Sequence, residues 1–320
     1  MRRSYGIIIL MIVGLVFANG CEFGKSPGNL YKAAIIMEGE MKGKPWNEKG
    51  YDGLKQIEET FGVEIEVVEN VNTEKDISEA VSDLVKDGTN LIFGHSSNYG
   101  EEFYNLSKNY TDIHFVYFNG NYYSDNLTSM NFNSHAMGFF AGMIASKTSE
   151  TNEVGIIAAY QWQPEIEGFY EGVKYQNPNT NVRMEFIYDW NDSEVAIQAY
   201  EKMKDYNVDV IYPAGDAFSE DIIKRASEDN IYAIGFVSDQ IKIEPKTVLT
   251  STVQHVERLY VLAAEKFNEG SLKGEIMSFD FTGDYITMGE YSEEVSNRFQ
   301  ETLNQYIEKY KETGLLPNQY

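Results

Sequence analysis

With 50 acidic residues against 26 basic ones in a chain of 320, the formal net charge is −24. That balance argues against direct nucleic-acid binding, which needs a basic footprint facing phosphate, and the Lys and Arg residues are scattered among Glu and Asp rather than gathered in a patch. A single cysteine leaves no disulfide framework and no cysteine-based metal site, while the length suffices for two ordinary domains around a large core.

The chain opens as a leader. Arg2 and Arg3 precede an uncharged, apolar run at 7–18, and the small residues Asn19 and Gly20 stand before the only cysteine, Cys21. A removable signal segment has this layout. A cysteine at its end points to a bacterial lipoprotein: cleavage leaves Cys21 as the N-terminus, with diacylglycerol on its sulfur and the folded body facing outward from the cell membrane. The Leu usual three positions before such a cysteine is Ala18 here. Two other readings stand beside this one, an uncleaved anchor with an incidental cysteine and a cytosolic protein. The apolar run is shorter than the roughly 20 residues a membrane-spanning helix requires. Residues 22–31 read as a tether.

From residue 32 onward, short apolar runs of strand length alternate with amphipathic stretches. The pattern predicts a strand at 32–37, a helix at 47–61, a strand at 63–69 and a helix at 73–86, the last opened by Thr73 with Asp76 three residues on, a variant of the capping box. A strand at 90–94, a helix at 99–110 and a strand at 114–119 follow. After an apolar run at 127–133 the alternation restarts, with helices at 135–147, 165–175, 193–205 and 217–229. The strands between and after them lie at 154–159, 182–188, 208–213, 232–236 and 248–252. A helix at 255–268, strand-like pieces at 276–281 and 285–288, and a long helix at 293–313 complete the chain. This βαβ repetition implies two α/β halves, each a doubly wound parallel sheet covered on both faces. Two such sheets facing each other enclose a cleft that hinge closure can shut on a small ligand. One large α/β enzyme would show the same periodicity.

Catalytic signatures are scarce. Pro45 stands where a Walker A loop at 39–44 would need Ser or Thr, and no GxGxxG follows the first strand. Gly94-His95-Ser96-Ser97-Asn98 resembles a nucleophile elbow without its closing glycine. The four histidines, His95, His114, His135 and His255, are far apart in sequence. A binding protein is therefore expected rather than an enzyme, with no cofactor and no metal.

Ligand contacts are expected in the loops that follow strands. Trp46 and Asn47 follow the first strand: Trp46 either stacks on a flat ring or serves as a hydrophobic staple, and Asn47 either bonds the ring's edge or only caps the helix. His95 follows the third strand and Asn119 the fourth. In the second half, Trp162, Asp216, Phe218 and Asp239 occupy corresponding places. Two tryptophans at strand ends in opposite halves suit a planar ligand held between lobes.

These loops resemble the basic membrane protein family of surface lipoproteins, which includes bacterial purine-nucleoside receptors. The resemblance runs over nearly the whole chain after the leader. It is carried by Lys44-Pro45-Trp46-Asn47 with Gly50 to Leu54, Gly138-Phe139-Phe140-Ala141-Gly142, Gly168 to Val173, Ala214-Gly215, Ser238-Asp239-Gln240 and Leu249-Thr250-Ser251. It implies a two-lobed periplasmic-binding-protein-like fold of type I, with 32–125 plus 251–284 in the first lobe and 126–250 plus 285–320 in the second. Trp162-Gln163-Pro164-Glu165, Tyr212 to Asp216 and Thr250 to Gln254 further resemble a branch that positively regulates competence in Gram-positive bacteria.

The resemblance implies a small-molecule ligand, nucleoside-like or other, and a membrane permease or signalling partner. Nucleoside receptors stack the base between two aromatic rings. Trp46 matches the first, whereas Glu165 falls at the second, leaving Trp162 or Phe218 to substitute. The acidic pair before the first aromatic is Lys42-Gly43 here, an acidic residue after the fourth strand is Asn119, a ribose-contacting Asp is Val237 with Asp239 nearby, and a ligand-contacting Lys is Gln254. Loss of several buried polar contacts changes what a site can hold.

Overall fold

The computed structural model describes residues 28–320. Cys21 and the leader lie outside the described residues, as does most of the expected tether. Among the described residues no helix is long and apolar enough to cross a membrane.

Among the described residues, twelve strands form two six-stranded sheets. The first sheet contains β1 (Lys32–Ile36), β2 (Glu64–Val68), β3 (Leu91–Gly94), β4 (His114–Phe118), β5 (Leu127–Phe132) and β11 (Ile276–Phe279), ordered β11-β5-β4-β3-β1-β2 and parallel throughout. The second contains β6 (Glu153–Ala158), β7 (Asn181–Phe186), β8 (Val210–Ala214), β9 (Tyr232–Val237), β10 (Val248–Gln254) and β12 (Ile286–Met288). Its order is β12-β10-β9-β8-β6-β7, parallel except for the edge pair β10–β12. Central strands such as β1, Lys-Ala-Ala-Ile-Ile, are buried along their whole length, whereas the edge strand β2, Glu-Ile-Glu-Val-Val, is only partly covered. Continuous burial is what helices on both faces of a parallel sheet impose.

The helices are α1 (Pro45–Phe61), α2 (Glu74–Lys86), α3 (Gly100–Ser107), α4 (His135–Thr148), α5 (Pro164–Gln176), α6 (Ser193–Asp205), α7 (Ala217–Asp229), α8 (Val256–Asn268) and α9 (Asn297–Thr313). The expected capping box opens α2: Thr73 Oγ1 accepts the Asp76 N–H at 3.2 Å, and Asp76 Oδ2 accepts the Thr73 N–H at 3.3 Å. The predicted start of the last helix at 293 moves to Asn297, and the helix expected at 99–110 shortens to Gly100–Ser107 behind a 3-10 turn at Ser97–Tyr99.

The sheets divide the chain differently from the expected lobes. Strand β5 lies beyond the 125/126 division yet pairs with β4 and β11 in the first sheet, and β10 runs across the 250/251 division wholly within the second. Strand pairing decides this: each of these runs completes the hydrogen-bond ladder of a neighbour before the chain leaves the sheet. The chain passes between lobes after β5, after β10 and between β11 and β12.

One helix pair fixes part of the second lobe with unusual closeness. Helix α4 is buried nearly all round and lies against α5 at four glycines. A Cβ on Gly168 would come 1.9 Å from the His135 carbonyl oxygen, and one on Gly138 would come 2.1 Å from the Glu165 carbonyl oxygen. Cβ atoms on Gly142 and Gly172 would come 2.2 and 1.9 Å from the Phe169 and Phe139 carbonyl oxygens. This contact sets the position of the α5 N-terminus, which carries Gln163 and Glu165.

Candidate functional site

The carboxyl ends of the two sheets enclose a cavity of about 490 Å³. Open α/β sheets bind ligands at this end, because the loops leaving the strands converge there. Trp46, Trp162 and Trp190 all line it, and they are the chain's only tryptophans.

Trp46 is held by a rigid buried assembly. Its indole stacks on the His95 ring with centroids 4.8 Å apart and planes 18° apart, and it meets Phe118 and Phe132 edge-on. Indole Nε1–H donates to the His95 carbonyl at 3.0 Å. His95 Nε2 lies 2.7 Å from the Trp46 carbonyl, an acceptor only, so Nε2 carries the proton. Nδ1 then accepts the Tyr260 hydroxyl at 2.8 Å. Burial pulls the His95 pKa down to about 4, which keeps this neutral tautomer. Gly50 is needed here because a Cβ would come 2.6 Å from the His95 ring.

Asp216 joins the lobes. Helix α1 begins with Lys44 at its N-cap and Pro45 as its first residue, without a side-chain cap of its own. The Trp46 N–H, one of the unpaired donors of the first turn, donates instead to Asp216 Oδ1 at 2.9 Å, across from the second lobe. Burial raises the Asp216 pKa to about 6, against the lowering effects of this bond and of Lys44.

Opposite Trp46, Trp162 is 59% exposed, stacks on Tyr160 at 5.5 Å and meets Trp190 edge-on at 5.9 Å. Glu165 lies at the start of α5, fully buried, with Ser134 Oγ donating to Oε2 at 2.6 Å and Gln163 Nε2 donating to Oε1 at 2.7 Å. Burial pushes its pKa up. Val237, also in the lining, has φ 64°, a left-handed conformation that β-branched residues rarely adopt and that costs about 1–3 kcal/mol. It is held by the turn in which Ser238 N–H donates to the Phe236 carbonyl and by Gln240 Oε1, which accepts the Phe236 N–H.

Of the residues expected from sequence, Trp46, Asn47, His95, Asn119, Trp162, Asp216 and Gln254 line this cavity. Some of them are already engaged within the protein. Asn47 Nδ2 donates to the Glu40 carbonyl at 3.0 Å, so Asn47 braces the loop before α1 and is not that helix's N-cap. Asn119 Oδ1 accepts the Phe132 N–H at 3.0 Å.

Two expected residues lie elsewhere. Phe218 is completely buried in the core with Ile211 and Ile222, and its ring fills the space under Gly215. Apolar burial behind the sheet outweighs its nearness in sequence to the strand end. Asp239 points away: its carboxylate accepts the Glu290 N–H at 2.9 Å and the Ser251 hydroxyl at 3.2 Å, tying the segment after β12 to β10. Trp190, Ser134 and Asn131 line the cavity without having been singled out. Trp190 follows β7, so the strand-end rule applied to that loop identifies it; Ser134 and Asn131 lie at the end of β5, which read only as an apolar run.

The other histidines form no catalytic group with His95. His114 is buried against Thr128, His135 lies 3.7 Å from Glu171, and His255 lies between Glu257 and Thr287. Among the described residues no cluster of His, Cys, Asp or Glu could hold a metal ion.

Comparison with known proteins agrees with this architecture. A family model described as Bmp, ABC transporter substrate-binding protein PnrA-like, matches residues 30–319. The chain is 39% identical over 310 residues to the transcriptional activator protein med of Bacillus subtilis (strain 168), covering 97% of this chain and 98% of that one. A purine-binding protein of Brucella abortus (strain 2308) is 26% identical over 235 residues, 72% of this chain and 67% of its own. Among solved structures, a transcriptional activator of the comK gene from Bacillus halodurans superposes with a TM-score of 0.84 at 38% identity, covering 90% of this chain and 99% of that one. A solute-binding protein of an ABC transporter system from Conexibacter woesei DSM 14684 shares the fold at a TM-score of 0.74 and 16% identity, over 91% of this chain and 99% of its own. Family and fold are those of solute-binding proteins, and the chain belongs to the Bmp family of PnrA-like substrate-binding proteins.

Proposed function

We propose that this protein is a membrane-anchored sensor in which a small planar ligand, bound between the lobes, governs a positive effect on competence gene expression. The observation that carries the reading is the convergence of all three tryptophans on one interlobe cavity of about 490 Å³. That volume is ordinary for small-molecule sites, and aromatic walls with a few fixed polar groups are their usual lining. Regulation is suggested by relatives described as transcriptional activators. With a net charge of −24, action through a membrane partner is favoured over contact with DNA. Anchoring through Cys21 and an outward-facing body complete the reading and rest on the leader sequence.

Thermal denaturation of the full chain against purine nucleosides and other planar solutes tests the binding half. Ligand at 100 times its dissociation constant adds about 2.7 kcal/mol of stability, and Trp46→Ala is expected to remove that gain. A competence reporter in cells carrying Trp46→Ala tests the regulatory half; full reporter activity in that variant, with normal protein levels, would count against ligand control.

A second reading is a nucleoside receptor serving an ABC permease, favoured by the purine-binding relative. It predicts micromolar or tighter nucleoside binding. Glu165 in place of a second stacking ring weighs against it.

A further inference from the structure

Glu165 is the feature of the cavity that nothing so far explains. It is 3% exposed, and its two oxygens accept from the Ser134 hydroxyl and the Gln163 amide. Its partners are neutral; no Lys, Arg or His forms an ion pair with it among the described residues. Burying a carboxylate without a counter-charge is costly. The first turn of α5, where Glu165 also meets its own backbone N–H, supplies a partial positive charge but no counter-ion.

The rest of the lining has the same bias. Its acidic members are Glu38, Glu165 and Asp216, and Lys44 is its one Lys or Arg. Lys44 acts on the Asp216 carboxylate, and burial keeps His95 neutral, with both ring nitrogens committed to the Trp46 carbonyl and the Tyr260 hydroxyl. Indole faces attract cations through the ring quadrupole, most strongly where water is excluded. A buried carboxylate lacking a counter-charge, facing a space walled by tryptophans, is the chemistry of an organic-cation site.

We propose that Glu165 sets the charge of the ligand: the cavity takes a planar organic cation, with its N–H donors on the Glu165 carboxylate and its ring against the tryptophans. The proposal rests on the small-molecule reading and narrows it. It disfavours carboxylates and phosphates, which would meet Glu38, Glu165 and Asp216 with Lys44 as the one lining cation.

The test uses three planar probes of one shape and three charges, benzamidine, benzamide and benzoate, titrated calorimetrically into the full chain. Benzamidine should bind about tenfold or more tightly than benzamide, as a charge-assisted pair implies, and benzoate weakest of all. Glu165→Gln, checked for native melting, should remove the preference for benzamidine over benzamide. Trp162→Ala, at an exposed wall, should weaken benzamidine without altering the fold. Equal affinity for the three probes, or a benzamidine preference that survives Glu165→Gln, would overturn the charge assignment and leave the small-molecule cleft standing. Failure of all three to bind a folded protein at millimolar concentration, together with failure of neutral nucleosides, would overturn both.

Discussion

His95 shows how one residue supports a site without meeting the ligand through a free nitrogen. Both ring nitrogens are committed inside the protein, one to the Trp46 carbonyl and one to Tyr260. Its folded pKa of about 4 lies below the ordinary 6.5. A depressed folded value means stability fully present above pH 6.5 and lost as pH falls toward 4, because the unfolded chain then binds more protons. The shift corresponds to about 3 kcal/mol. Urea denaturation between pH 4 and 7 should therefore show a shallower acid loss in His95→Gln than in the parent chain; identical slopes would mean the imidazole is not held neutral. His114, also near 4 and buried against Thr128, contributes a second loss in the same window that the substitution leaves in place. These roles were not legible in the sequence. The position of His95 after a strand identified the loop, but which groups its nitrogens meet depends on Tyr260, 165 residues away.

At the scale of elements, two devices position the site. The α4–α5 contact leaves no room for a side chain at Gly168, whose Cβ would come 1.9 Å from a backbone oxygen. Gly168→Ala should cost about 1–3 kcal/mol by overpacking, read as a lowered melting temperature, and should weaken ligand binding by displacing Glu165; an unchanged melt would show that the helices part freely. The second device is the bond from the first turn of α1 to Asp216. Burial where Asp216 meets the first turn of α1 raises its pKa from 3.8 to about 6, and an opening that returns the carboxyl to water restores the ordinary value. The closed form therefore gains by taking up a proton: its advantage is present below pH 3.8 and lost as pH rises through about 6. Small-angle scattering of the ligand-free chain should show a larger radius at pH 7 than at pH 4.5, and Asp216→Asn should flatten that change. The same pH response in both forms would contradict the assignment. Most helices and strands were legible from periodicity, because burial on both faces of a parallel sheet leaves continuous apolar runs. The lobe divisions were not, because β5 and β10 look alike whichever sheet they complete. Phe218 misled for a related reason: position after a strand places the backbone at the cleft but does not decide which way a ring turns.

On the scale of the whole molecule, three chain crossings join two sheets whose strand ends face one cavity. The tryptophan distribution made part of this visible beforehand, since Trp46 and Trp162 fall at strand ends in opposite halves. Trp190, after β7, lay within reach of the same rule, whereas the setting of Glu165 needed the fold. Lobe closure around a small ligand is tested most directly by the intrinsic fluorescence of the full chain, since every tryptophan in the chain lines the cavity. Titration with benzamidine and with adenosine, followed in parallel by thermal denaturation, should give for at least one of them a saturable change in tryptophan emission. Emission and thermal stabilisation should saturate together, and both should be lost in Trp46→Ala. Stabilisation that leaves the emission unchanged would place the ligand outside the cavity, and a folded protein that responds to neither compound by either measure would contradict the claim that this cavity binds a small planar ligand.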